Sequence, residues 1–202
     1  MLDPIVLSLL GLNERLESTN QPVPINVPES EKTSEGFQLR KLSEAAKRWI
    51  GTSETKNNVE FSNPEFKDYI KQGGHTPGAP YCASFAKSCA LESAETPTER
   101  KVIQQVLTPH SLTSLANAKK AGLYSSTPTP NSIAVFQKGN TQSGHMAVVD
   151  TVNPDGTIST IEGNTGAGGG REGDGVYRKT RNPNNQNKQG LHIVGYINFE
   201  KK

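Results

Sequence analysis

Four residues in this chain have side chains and spacing suited to covalent chemistry: Cys82, His145, Glu162 and Asn164. Cys82 follows the Gly/Pro-rich stretch Gly78-Ala79-Pro80-Tyr81 and opens a run, to about Ser93, that reads as a helix. Unpaired N–H groups and the positive end of the helix dipole gather at a helix start. Both favour a thiolate, and the thiolate is the nucleophilic form of cysteine. An activated cysteine also needs a base within hydrogen-bond reach, a third group to orient that base, and donors for an oxyanion. His145 opens a strand directly after Gly144, which leaves its ring little obstructed at a sheet edge. The turn Asn153-Pro154-Asp155-Gly156 joins that strand to the next, Thr157 to Glu162. Pairing about such a turn sets residues whose numbers sum to about 309 opposite each other. His145 then lies across from Gly163 and Asn164, with Glu162 beside it. A glutamate there orients the neutral imidazole and stabilises the imidazolium. Asn164 is placed either to orient the ring in its stead or to donate to the oxyanion.

Other chemistries fit less well. Cys82, Cys89 and His145 have neither CxxC nor HExxH spacing, so no metal site is expected. The glycine run Gly166 to Gly175 has no Gly-Lys-Ser/Thr ending and joins two strands, which excludes a phosphate-binding loop of that type. His75, His110 and His192 have no comparable partners in the sequence. Cys82 and Cys89 are seven residues apart in one helix, about 10.5 Å of rise, which is beyond the reach of a disulfide.

The elements that must position these groups divide the chain. In residues 1–36 six acids stand against two bases, a net of −4, so the remainder carries +6. A basic body suits an anionic polymer such as a cell-wall glycan or nucleic acid, and equally an ordinary solvated surface. Residues 4–17 have the pattern of a short amphipathic helix, and 18–36 the Pro/Ser/Thr/Asn/Glu composition of a linker. Together 1–36 read as an extension, either a docking arm or a disordered leader, ahead of one domain over 37–202. The apolar start, Met1 to Leu12, lacks a basic region before it. It is too short to span a membrane and does not read as a secretory signal. The expected location is therefore synthesis in the cytoplasm, with delivery by some other route.

Within 37–202, helices come first. Leu39, Leu42, Ala45, Ala46, Trp49 and Ile50 recur at helical spacing, with Trp49 read as core. Asn63-Pro64-Glu65 starts a second helix, which stops at Gly73-Gly74. After the Cys82 helix, Thr98 to Leu107 and Ser111 to Gly122 are two more. Five strands follow, near 132–136, 144–152, 157–162, 175–178 and 193–197. The expectation is an α+β domain, its N-terminal helices packed on a small antiparallel sheet.

The motifs Pro80-Tyr81-Cys82-Ala83-Ser84-Phe85, Gly144-His145-Met146-Ala147-Val148-Val149 and Thr160-Ile161-Glu162-Gly163-Asn164-Thr165 resemble those of the CHAP domain. This is the cysteine- and histidine-dependent amidohydrolase/peptidase family, of papain-like fold within the NlpC/P60 superfamily. The likeness covers about residues 40–200, from the Trp49 to Asn58 segment to the closing Gly175 to Arg181 and Val194 to Phe199 stretches. It implies a peptidoglycan hydrolase, either an amidase at the glycan–peptide junction or an endopeptidase. Cys82 would then be the nucleophile, His145 the base, Glu162 its orienting group and Asn164 a supporting polar residue. Some members carry an acidic calcium loop before the cysteine. Here Gly73 to Pro80 contains no carboxylate, so no calcium and no other cofactor is expected.

Tyr81, Glu54 and Arg171 are expected to contact substrate, and Arg171, Arg178 and Arg181 to steer the anionic wall. The expected partner is peptidoglycan, not nucleic acid, with no stable membrane insertion. Action in the periplasm or on the wall of a target bacterium suits two delivery routes: a phage lysin, or a secretion-system effector paired with an immunity protein. A non-catalytic wall-binding domain, or a Cys/His protease or acyltransferase with a non-wall substrate, is the alternative.

Overall fold

The computed structural model describes residues 39, 41–166, 173–185 and 187–199. The extension 1–36 and Arg171 lie outside the described residues. Five helices precede most of the sheet among those residues: α1 (Leu42–Lys47), α2 (Pro64–Gln72), α3 (Cys82–Ser93), α4 (Pro97–Val106) and α5 (Ser111–Lys120). A small hairpin of β1 (Glu54–Lys56) and β2 (Glu60–Phe61) sits between α1 and α2.

Local chemistry accounts for the helix boundaries. The Asn63 side chain accepts the Glu65 N–H and Pro64 occupies the first turn of α2, as the sequence suggests. At α4, Thr96 accepts from the Glu99 N–H while the Glu99 carboxylate accepts from the Thr96 N–H, a complete capping box. His110 Nδ1 accepts the Thr113 N–H at the start of α5. The first helix is shorter than its apolar pattern: α1 ends at Lys47 and the chain turns through Arg48 to Gly51, whose φ is +91°. Trp49 is core, with its ring 5.2 Å from Phe66 and 4.6 Å from Tyr69.

The main sheet is antiparallel with order β3-β8-β4-β5-β6-β7. It comprises β3 (Tyr124–Ser125), β4 (Ile133–Lys138), β5 (Gly144–Val152), β6 (Ile158–Thr165), β7 (Gly175–Arg181) and β8 (Leu191–Ile197). It therefore has six strands where the sequence reading expects five. The addition, β3, pairs only two residues with the end of β8, too few to carry a period of two. β6 also runs past Glu162 to Thr165.

The hairpin register falls as expected near the site, with Val148 opposite Ile161 and Val149 opposite Thr160. A bulge between Val149 and Thr151 shifts the ladder by one toward the turn. At the bulge Asp150 is buried and bonded to Lys47 and Arg178. Burial alone would raise its carboxyl, but the Arg178 and Lys47 bonds and charges hold it below the usual range.

One face of the sheet carries the helices. Ile133, Val135, Met146, Val148 and Ile161 pack there with Phe66, Ile70, Phe85 and Ile103. Burying each such side chain contributes about 1.5–3 kcal/mol relative to exposure. The other face holds a smaller cluster of Ala134, Phe136, Ala147, Val149, Ile158 and Tyr196. The result is helices on one antiparallel sheet, an α+β fold.

Candidate active site

Cys82 is the first residue of α3, and Tyr81 before it makes no capping side-chain bond. The starts of α2, α4 and α5 are all capped by side chains. The α3 start thus keeps its N–H groups for another acceptor. The helix can lie close to β6 because Gly163 has no side chain: a Cβ there would meet the Phe85 side chain at 3.0 Å.

His145 belongs to β5, an interior strand flanked by β4 and β6. Its ring is not at an open sheet edge as expected. It is 1% exposed and lies 5.7 Å from the Phe136 ring. Nε2 is 3.0 Å from Glu162 Oε2. Nδ1 is buried with no hydrogen-bond partner, and the Cys82 thiol acts on the same imidazole through charge and hydrogen bonding. The imidazole thus has a carboxylate on Nε2 and a thiol among the groups that set its charge.

The electrostatics follow from this placement. Burial opposes ionisation of Cys82, but the His145 charge and hydrogen bond prevail, helped by the Met146 N–H and the Ser111 hydroxyl, and the thiol falls below its ordinary value. Burial would lower His145 too. Instead the charges and hydrogen bonds of Cys82 and Glu162 push it up to about 9. Both shifts favour a thiolate–imidazolium pair.

Glu162 is fully buried and all of its acceptor capacity is used. Oε1 accepts the Thr160 hydroxyl at 2.6 Å and Arg181 Nε at 2.7 Å. Oε2 accepts Arg181 Nη2 at 2.6 Å and faces His145 Nε2. Burial pushes its carboxyl up, but the Arg181 and His145 bonds and charges outweigh that and hold it far below the usual carboxylate range.

The remaining expected residues are placed differently. Asn164 sits at φ +56° in the bulge between Glu162 and Thr165, and its Oδ1 accepts the Tyr81 N–H at 3.3 Å. It braces the entry to α3, and Glu162 is the group on the imidazole. The Tyr81 ring is buried in the core, edge-on to Phe61 and Phe66, not open to a substrate. Glu54, on β1, accepts the Asn58 N–H at 2.7 Å through Oε2, while its buried Oε1 has no partner. Arg178 and Arg181 are both engaged within the protein: Arg178 bonds Asp150 and Arg181 bonds Glu162. Ser111 and the Glu162-binding role of Arg181 were not found from sequence. Ser111 has no motif, and Arg181 stands nineteen residues beyond its partner. Among the described residues no group of three or more His, Cys, Asp or Glu side chains is arranged to hold a metal ion, and no helix is long and apolar enough to cross a membrane.

A thiol, an imidazole and an ionised carboxylate in series can perform nucleophilic acyl transfer. The match to known families agrees with that chemistry: residues 72–164, somewhat under half of the chain, match the family model of the CHAP domain. The matched segment runs from the end of α2 through Cys82 and His145 to Asn164, the stretch whose motifs suggest the resemblance. CHAP domains are in general hydrolases or amidases acting on peptidoglycan. No curated protein matches the chain, and no solved structure does.

Proposed function

We propose that this protein is a cysteine-dependent peptidoglycan hydrolase in which Cys82 is the nucleophile, His145 the general acid and base, and Glu162 the group that orients His145. The observation that carries the reading is a single imidazole bonded to Glu162 through Nε2 and electrostatically coupled to Cys82. The Cys82 thiolate attacks a peptide or amide carbonyl, and the developing oxyanion is met by the uncapped N–H groups at the start of α3. The imidazolium gives its proton to the leaving amine as the C–N bond breaks, leaving a thioester on Cys82. Water then adds with His145 taking its proton, and the thiolate departs from a carboxylic acid product. Asn164 supports this geometry by holding the Tyr81 N–H, one residue before the nucleophile.

The substrate is the wall of a target bacterium. Delivery is as a lysin or as an injected effector, and an inhibitor that fills the cleft accompanies the second. Glu54, on the hairpin ahead of α3, is the remaining candidate for a substrate contact. Digestion of purified sacculi by the wild type and by Cys82→Ala, with products identified by mass spectrometry, tests the reading. New amine termini from the wild type alone are expected, and their identity separates amidase from endopeptidase. Equal products, or none from a folded wild type across several wall chemotypes, would overturn it.

A further inference from the structure

Arg181 lies beyond the segment that matches the CHAP family model, yet it has a place in this site. It reaches from β7 across Thr160 to the carboxylate on β6, bonding one oxygen through Nε at 2.7 Å and the other through Nη2 at 2.6 Å. Such fork-to-fork pairing fixes a carboxylate plane as well as its charge. Its own plane is fixed by the Phe136 ring 5.4 Å from Cζ, and Phe136 also packs on His145. Two of the four donors around Glu162 therefore come from one guanidinium, and the same aromatic ring borders both the clamp and the imidazole.

We propose that Arg181 is a positioning residue of the catalytic series: its guanidinium locks the Glu162 carboxylate in place and in charge, and through Glu162 it holds His145 toward Cys82. The inference rests on the hydrolase reading above. It also makes the site electrically closed. The resting state holds Cys82 and Glu162 as anions with His145 and Arg181 as cations, two ion pairs and no net charge. The charged groups around Glu162 are His145 on β5 and Arg181 on β7. β4 presents the uncharged Phe136 ring, and on β7 the Lys179 ammonium is bonded to the Gly166 carbonyl. Removing one member alone leaves an uncompensated buried charge, whereas removing an oppositely charged pair does not.

That asymmetry separates a clamp from a wall contact or a simple structural bond. Arg181→Met is expected to lower kcat on sacculi about 10- to 100-fold, as loss of an outer orienting partner does elsewhere, with KM nearly unchanged. The acid limb of the pH profile should move up as Glu162 becomes easier to protonate. Glu162→Gln leaves the guanidinium unpaired beside an imidazole that should be charged, so the double variant Glu162→Gln/Arg181→Met should be at least as active as Glu162→Gln alone. The Arg181 side chain is 19% exposed and lines a cavity of about 220 Å³ with Phe136, Asn182, Leu191 and His192. Arg181→Ala should therefore regain activity when guanidinium is added at concentrations below those that unfold the protein.

The rate of Cys82 alkylation by iodoacetamide against pH needs no wall substrate. It should shift to higher pH in Arg181→Met, with Cys82→Ala as the blank. A higher KM with kcat and the alkylation profile unchanged would overturn the clamp in favour of a wall contact. Multiplicative losses in the double variant would overturn it as well. A wild type inactive on sacculi, yet with an alkylation profile that moves in Arg181→Met, would sink the hydrolase reading and leave the clamp standing. A variant that melts early is judged by guanidinium rescue, which a fold defect would not show.

Discussion

The two cysteines lie on one helix, seven residues apart, and both are buried, yet their surroundings drive them in opposite directions. Cys89, in the middle of α3, packs beside Tyr69 in the core. Burial pushes its thiol up to about 12, with the Glu92 charge adding to the rise and the Tyr69 hydrogen bond and Arg48 charge opposing it. Cys82, at the uncapped start, is opposed by burial too, but an imidazole, the Met146 N–H and the Ser111 hydroxyl reverse it. Burial alone thus makes a thiol inert. The lowered Cys82 value comes from starting the helix beside a strand that brings a charged partner.

The comparison breaks most visibly at the sulfurs themselves. Cys82→Ala should reduce wall hydrolysis by about 10³-fold or more, as loss of a nucleophile does in acyl-transfer enzymes. Cys89→Ala should keep activity and lower stability by about 1 kcal/mol, the usual scale of a small core truncation. Turnover assays and thermal melts on the two variants check both. Glu162→Gln comes next, with a loss of about 10²-fold or more. It should also carry a pH signature. The ion pair exists above the lowered Cys82 value and below the His145 value of about 9, so wild-type kcat/KM should rise with thiolate formation and fall through about pH 9. Because Glu162 helps raise His145, the variant's basic limb should lie at lower pH.

Labelling sharpens the contrast without a substrate. At neutral pH iodoacetamide should modify Cys82 alone in the native protein, and Cys89 only after denaturation. A smaller effect is expected from Gly163→Ala, whose Cβ would press on Phe85 at 3.0 Å. Overpacking of this kind costs about 1–3 kcal/mol, so a lowered melting temperature should accompany a modest loss of rate. The smallest is Ser111→Ala, which removes one hydroxyl from the sulfur and should move only the acid limb, slightly upward.

Much of this was legible in the residues, for physical reasons that differ by element. Asn63-Pro64-Glu65 and the Asn153 to Gly156 turn are local signals, and α2 starts and β5 and β6 pair where those signals put them. The pairing of His145 with Glu162 followed from the register of one tight turn, a short-range inference. Arg181 was opaque because its role depends on a third strand placed by a long loop. β3 was opaque because two residues have no periodicity. Tyr81 was misread because its place before the cysteine gives no hint that Phe61 and Phe66 enclose its ring. The bulge at Asp150 left no trace in the alternating pattern of Ala147, Val149 and Thr151.

That bulge divides the β5–β6 hairpin into two ladders, one in register with the site and one in register with the turn. Asp150, bonded to Lys47 on α1 and to Arg178 on β7, pins the boundary between them. A change in the length of the Asp155–Gly156 tip is therefore absorbed before it reaches Val149. That makes the tip a natural place for insertions during divergence, and a practical one for grafting a binding peptide or a fluorescent reporter.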